Sequence, residues 1–271
     1  MKGGFLLLRL SLRRVWPLLA ATGLLLAGFQ LLRVLIAASV HNAGEFAQIA
    51  GLLPPFVRTL LGPALTSVMS FSGIVCGGYF DLGIVIALVV LNIALATVPA
   101  SEIETGFADL VLARPLRRHW LVTRTIALVW LATALMLLMI QGGTWAGLAL
   151  FAPPDAEAPS GRQTMALALN LGMLALCWSG VALALGAAFR RGVAGGATSL
   201  LAFAALLIDY AQQLWPPLER LGWISPFRYF RPFELVMGNP LPWENLLILG
   251  AVAVTGYIVA YLVISQRDIA R

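Results

Sequence analysis

The charged side chains with the most informative spacing lie between Ser101 and Arg124, between two strongly apolar segments. Ser101 is followed three residues later by Glu104, the spacing at which a hydroxyl and a carboxylate cap the first turn of a helix. Pro115 disfavours helical geometry at Arg114 and should end the element. The sequence therefore predicts a helix over about residues 101–114, whose acidic start complements the helix dipole.

The spacing also makes this helix amphipathic. Its apolar face consists of Ile103, Phe107, Leu110 and Val111, and its polar face consists of Glu102, Thr105 and Asp109. One interpretation is an ordinary loop helix that rests on the membrane. The other is a docking element that transmits movement from a soluble protein, and periodicity alone leaves both open.

Residues that commonly carry catalysis or hold a metal are scarce. His41 and His119 are the only histidines, and neither falls within a predicted span, so histidine-based chemistry is poorly supported. Cys76 and Cys177 have a spacing that suggests neither a metal site nor a disulfide framework. The only lysine is Lys2, and no P-loop motif is present. We therefore expect no enzyme activity and no cofactor bound by this chain.

Four neutral polar residues interrupt the apolar segments, namely Gln30, Asn92, Gln141 and Asn170. Such side chains can line a translocation path, but more often they hydrogen-bond between helices, which is the interpretation we favour. No run of carboxylates or histidines within the apolar segments indicates a proton relay.

These side chains must be positioned by membrane-spanning helices. Apolar residues make up 60% of the chain and charged residues only 11%, whereas a soluble domain carries roughly 25% charge. Runs between the charge clusters reach the roughly 20 residues that cross a bilayer as a helix. The sequence therefore predicts an all-α polytopic membrane protein that forms one transmembrane domain over residues 1–271. Its six spans are expected at about 15–32, 82–100, 125–151, 165–189, 193–214 and 246–265.

The basic residues predict that both chain ends lie in the cytoplasm, because cytoplasmic loops are enriched in Lys and Arg. One basic cluster precedes the first span and another surrounds residue 115, so an even number of spans should separate them. Residues 59–80 then form an outer, interfacial or re-entrant segment, or an extension of the second span. Arg33 and Asp81 fall near the same surface, where they either pair or mark helix ends, and we favour helix ends. The net charge of +6 follows from this topology and does not indicate a nucleic-acid partner.

The first residues of the chain also have amphipathic spacing. Phe5, Leu8 and Leu12 form an apolar stripe beside Arg9 and Arg13. We expect residues 3–14 to form an amphipathic helix on the inner membrane surface. The alternative is a plain cytoplasmic extension of the first span.

Three motifs resemble the permeases of the type-2 ABC transporter family. The first follows the second span and reads Glu104-Thr-Gly106, Leu110-Val-Leu112-Ala113-Arg114-Pro115 and Arg117-Arg118, similar to the Glu–x–Gly and Leu-Leu-Ala-x-Pro-x-x-Arg patterns of that family. The others are Ser225-Pro226-Phe227 with Tyr229 and Pro232, and Ser265-Gln266-Arg267-Asp268-Ile269 near the carboxyl end. Their order and sidedness fit the family, whereas the long outer segment 38–80 departs from it.

The resemblance implies a permease subunit in the plasma (inner) membrane. Two ABC ATPase subunits would bind ATP and magnesium, and a second permease half, identical or related, would complete the pathway through the lipid. The helix after the second span would couple it to the ATPase through Glu102, Glu104, Gly106, Phe107, Arg114, Pro115, Arg117 and Arg118. Residues Trp215–Trp243 would form outer or re-entrant helices between spans five and six.

An exporter of an apolar, amphipathic or lipid-linked substrate is the function that the resemblance implies. The alternatives are a secondary transporter or a non-transporting membrane partner, and, less favoured, a membrane-embedded enzyme. We find neither the inverted repeats nor the buried charge that would favour a secondary transporter.

Overall fold

The computed structural model describes residues 2–42, 70–105, 119–214 and 222–266, and the regular structure in these ranges is entirely helical. The α-helices are α1 Lys2–Asn42, α2 Phe71–Gly77, α3 Leu82–Ala96, α4 Val98–Glu104, α5 His119–Phe151, α6 Gly161–Ala188, α7 Arg191–Leu214, α8 Pro232–Val236 and α9 Trp243–Gln266, and a 3₁₀ helix spans Pro226–Tyr229.

Six helical segments are long and apolar enough to cross a membrane. They are Arg9–His41, Phe71–Glu104, His119–Phe151, Gly161–Ala188, Arg191–Gln212 and Trp243–Gln266. The prediction of an all-helical chain with six such helices is confirmed for the described part of the chain. Within the fifth-to-sixth connection, the described residues form a 3₁₀ turn at 222–224, the 3₁₀ helix at Pro226–Tyr229 and α8.

The first helix is longer than the span predicted for it. α1 begins at Lys2 and continues through Pro17 to Asn42 without interruption. Residues 3–14 are thus helical and continuous with the first span, and their place on the inner membrane surface stays a prediction. Pro17 is the helix-disfavouring residue at this junction, and α1 continues through it.

The segment before α3 contains the short helix α2, and side-chain caps begin both α2 and α3. Ser70 accepts a hydrogen bond from the backbone N–H of Gly73 (3.0 Å) and caps α2. Asp81 accepts a hydrogen bond from the N–H of Gly83 (3.0 Å) and caps α3. Of the predicted outer segment 59–80, residues 71–77 are therefore helical, and residues 59–69 lie outside the described residues.

The predicted helix start at Ser101 is wrong. α4 begins at Val98 and ends at Glu104, so Ser101 lies inside a helix rather than at its cap. Pro99 explains the earlier start, because proline suits the first turn of a helix, where the backbone N–H has no helical partner. Of the predicted coupling helix, residues 106–114 lie outside the described residues.

Small residues set the closest helix contacts. A Cβ atom on Gly143 of α5 would lie 2.8 Å from the Cα atom of Ala27 in α1. A Cβ atom on Gly180 of α6 would lie 2.7 Å from the Cα atom of Ala253 in α9. Helix backbones approach this closely only where the facing residues are as small as glycine and alanine. Such close approach gives membrane helices extra van der Waals packing.

The relative directions of the helices follow from their contacts. α3 and the preceding turn run antiparallel to α5, because the contacts occur in opposite order along the two: Tyr79 with Gln141, Asn92 with Thr133, and Glu102 of α4 with Arg124. α1 runs parallel to α5, and α6 parallel to α9, by the same criterion. We call the end of the bundle that contains Glu102 and Arg124 the Glu102 end, and the opposite end the Asp81 end.

An ion pair and a histidine–carboxylate contact connect α1 to its neighbours at the Asp81 end. Arg33 of α1 donates to Asp81 at 2.6 Å, so Asp81 both marks a helix end and pairs with Arg33. The end of α1 also contacts the loop after α5, where His41 Nε2 lies 3.2 Å from Asp155 Oδ2. The hydrogen bond from His41 lowers the pKa of the Asp155 carboxyl. The favoured interpretation of Arg33 and Asp81 as helix-end markers alone is therefore wrong, because the packing of α1 against α2, which precedes Asp81, brings them into contact.

Candidate functional site

α4, the last helix of the second candidate span, is attached to α5 by a buried ion pair. Arg124 Nη2 donates to Glu102 Oε2, and the two side chains are only 4% and 7% exposed. A buried pair of this kind must be mutually satisfied, because a single unpaired charge in a desolvated position is strongly destabilising. Arg124 Nε has no hydrogen-bond partner among the described residues. The pair fixes α4 against the first turns of α5.

The same helix is attached to α7 by Glu104. Its carboxylate accepts a hydrogen bond from the backbone N–H of Arg191, the first residue of α7. The first backbone N–H groups of a helix lack helical partners and carry partial positive charge, so a carboxylate there acts as a cap. Glu104 therefore caps a helix that is distant in sequence.

Glu102 and Glu104 thus connect one short helix to two different spans. Glu102 belongs to the predicted polar face with Thr105, but its side chain is buried against Arg124. Thr105 and Glu104 are exposed, as expected for a polar face. The other predicted coupling residues, Gly106, Phe107, Arg114, Pro115, Arg117 and Arg118, lie outside the described residues.

Three of the four neutral polar residues form hydrogen bonds between elements. Gln30 Nε2 donates to the carbonyl oxygen of Val75 (2.9 Å), which joins α1 to α2. Asn92 Oδ1 accepts from the hydroxyl of Thr133 (2.9 Å), which joins α3 to α5. The bonds show what these two side chains do in this conformation. Whether Gln30 and Asn92 also line a path stays a prediction.

Gln141 belongs to a larger buried network. Its amide nitrogen donates to Thr164 Oγ1 (2.8 Å), and its amide oxygen accepts from the hydroxyl of Tyr79. The Tyr79 hydroxyl also lies 2.8 Å from Thr144 Oγ1. These contacts join α5, α6 and the turn before α3 near the Asp81 end. Sequence reasoning missed Tyr79, because it lies in a segment whose structure the composition did not specify.

Asn170 differs from the other three. It is fully buried in α6, and neither Oδ1 nor Nδ2 has a hydrogen-bond partner among the described residues. A buried amide without partners costs free energy relative to an apolar side chain. The structure therefore shows no packing role for this amide in the described part of the chain.

No group of three or more His, Cys, Asp or Glu side chains that could hold a metal ion occurs within the described ranges. In comparisons with known proteins, no family model, no curated protein and no solved structure matches this chain.

Proposed function

We propose that this chain is the transmembrane permease subunit of an ATP-binding-cassette exporter. Two copies of a separate ATPase subunit drive it, and they hold ATP and magnesium. A second permease half, identical or related, completes the pathway, and both chain ends lie in the cytoplasm. The substrate class we propose is apolar, amphipathic or lipid-linked.

The observation that carries the proposal is the double attachment of α4. A force applied to residues 101–105 reaches α5 through the buried Glu102–Arg124 pair and α7 through the Glu104 carboxylate. Packed cores are stiff, so such a displacement moves whole helices instead of dissipating locally. A cytoplasmic partner that binds the loop after the second span would therefore act on three spans at once. This arrangement suits a coupling element.

The basic residues at the Glu102 end of the bundle support a cytoplasmic position for that end. Arg9, Arg13 and Arg14 lie at the start of α1, and Arg190 and Arg191 at the start of α7. α1 runs parallel to α5, so the start of α1 lies at the same end as Arg124. Positive residues flanking spans favour the cytoplasmic side, which supports our proposal that the exposed part of α4 faces the cytoplasm and an ATPase there.

A cross-linking experiment tests the partner. A photo-activatable amino acid at Thr105, which is exposed beside α4, should cross-link an ATPase of the ABC class in intact cells. The same amino acid at Asp155, which is exposed in the loop after α5, serves as the matched control and should not capture it. Absence of an ABC-class ATPase from the Thr105 product would contradict the proposal.

A labelling experiment tests the orientation separately. The two native cysteines are buried, so a thiol reagent should react only with a cysteine introduced at Thr105 or at Asp155. A membrane-impermeant maleimide should label Asp155→Cys on intact cells, and Thr105→Cys only after the membrane is opened. The reverse pattern would place α4 outside and exclude the coupling role.

A further inference from the structure

A cleft with charged and aromatic walls lies at the Asp81 end, apart from α4. Its volume is about 660 Å³, within the roughly 300–1,000 Å³ of small-molecule sites. The last turns of α7, the start of α3 and the segment 226–234 form its walls. The residues of α4 and of the Tyr79 network do not line it.

The charges that line the cleft are balanced. Asp209 and Glu234 supply two carboxylates, and Arg228 and Arg231 supply two guanidinium groups. Arg231 Nη1 donates to Glu234 Oε1 at 2.8 Å. Asp209 accepts from the amide of Gln212 at 2.6 Å and forms no ion pair with another described residue. An anion would meet two carboxylates here and a cation two guanidinium groups, so the lining best complements a group that carries both charges.

Aromatic rings lie beside the charged side chains in the wall of the cleft. Phe80 and Phe233 pack with ring centroids 4.9 Å apart, and Phe227, Phe230 and Tyr210 lie around them. Aromatic faces attract ammonium groups. Carboxylates bind a primary ammonium through charge-assisted hydrogen bonds and a quaternary ammonium through charge attraction, and guanidinium groups bind phosphates through charge-assisted hydrogen bonds. The lining therefore suits a head group with an ammonium at one end and a phosphate at the other.

An apolar groove continues from the cleft between α3 and α7. It has a volume of about 200 Å³ and shares Val85, Leu206 and Phe227 with the cleft. Val90 and Phe203 line it and are 52% and 57% exposed, so it opens to the side of the bundle. A polar cavity that leads into a laterally open apolar groove matches a molecule with a head and a tail.

The depth of the cleft also fits a lipid. Trp223 and Trp243 are 66% and 67% exposed near the same end. Exposed tryptophans mark the level of the lipid head groups. A head group in the cleft would thus lie at the interface, with its chain at the level of the hydrocarbon.

We propose that this cleft and groove bind one zwitterionic phospholipid, its ammonium beside Asp209, its phosphate beside Arg228 and an acyl chain in the groove. The site differs from the α4 attachment and does not depend on the exporter function. A purified full-length chain without ATPase or nucleotide is sufficient to test it.

The test is native mass spectrometry of the chain released from nanodiscs that contain equal amounts of phosphatidylethanolamine, phosphatidylcholine and phosphatidylglycerol with the same acyl chains. The two zwitterionic lipids should be retained in preference to anionic phosphatidylglycerol. Asp209→Asn and Arg228→Gln should each weaken retention of phosphatidylethanolamine about tenfold, as expected for the loss of one charge-assisted hydrogen bond. Asp155→Asn removes an exposed carboxylate outside the cleft and should leave retention unchanged.

The groove has its own matched pair of variants. Ser199 is exposed and lines the groove, so Ser199→Trp fills it without entering the core and should lower lipid retention. Leu200 is 68% exposed on the same helix and does not line the groove, so Leu200→Trp should retain lipid. Equal retention of phosphatidylglycerol, or no effect of Asp209→Asn and Ser199→Trp, would overturn the proposal. Displacement of the lipid by an equal concentration of free O-phosphoethanolamine would also overturn it, because the tail would then contribute nothing.

Discussion

Glu102 and Arg124 form an ion pair between α4 and α5, with side chains only 7% and 4% exposed. Removing either partner leaves the other charge desolvated and unpaired, which costs about 3–5 kcal/mol. We expect Glu102→Gln and Arg124→Met each to lower the free energy of unfolding by about this amount. Denaturant unfolding of the purified chain in detergent micelles measures the change.

The double variant Glu102→Leu/Arg124→Leu is the control for this prediction. Replacing a buried pair with apolar residues is often neutral, so the double variant should unfold much closer to the natural chain than either single variant does. Additive losses in the double variant would show that the pair is not coupled.

Glu104 caps α7 from a distance, and its loss should loosen the start of that helix. Glu104→Ala removes the acceptor for the Arg191 N–H, and cap losses cost about 0.5–2 kcal/mol. Hydrogen–deuterium exchange should therefore become faster over residues 191–194. Glu104→Gln keeps an acceptor oxygen and should exchange more slowly than Glu104→Ala. If the two variants exchanged alike, the carboxylate would not be the cap.

Adjacent glycines in α5 provide a matched test of the α1–α5 contact. A Cβ on Gly143 would lie 2.8 Å from the Cα of Ala27, whereas no described atom lies within 4 Å of a Cβ on Gly142. We expect Gly143→Ala to destabilise the chain by about 1–3 kcal/mol, the usual cost of overpacking. Gly142→Ala should be neutral or stabilising, because alanine favours helix by up to about 1 kcal/mol. Thermal unfolding of both variants compares them directly, and equal melting temperatures would contradict the close contact.

The sequence specified the spans better than it specified their contacts. Hydropathy and charge placement identified the six long helices, since each apolar run must form its backbone hydrogen bonds internally. The start of α4 was misplaced, because Ser101 and Glu104 have capping-box spacing although Pro99 begins the helix earlier. Local patterns define helix ends only approximately.

Contacts between distant residues were harder to predict. The Glu102–Arg124 pair needs two helices to meet, and amphipathic periodicity instead placed Glu102 on the polar face. The Arg33–Asp81 pair was foreseen only as the less favoured alternative, because spacing cannot show which charged residues lie opposite each other. Such contacts depend on helix packing, which a single sequence does not specify.

Asn170 and Asn92 allow packing and pathway roles to be separated. The Asn170 amide has no partner in the described part of the chain, so Asn170→Leu should leave the stability unchanged or raise it by about 1–3 kcal/mol, the cost of an unsatisfied buried polar group. Asn92→Leu removes the acceptor for Thr133 and should lower stability by about 0.6–1.7 kcal/mol, the range for hydrogen bonds between membrane helices. Thermal unfolding should therefore give a lower melting temperature for Asn92→Leu and an unchanged or higher one for Asn170→Leu. Reduced transport by Asn170→Leu, with stability kept, would support a place on the pathway, whereas unchanged transport would remove Asn170 from it.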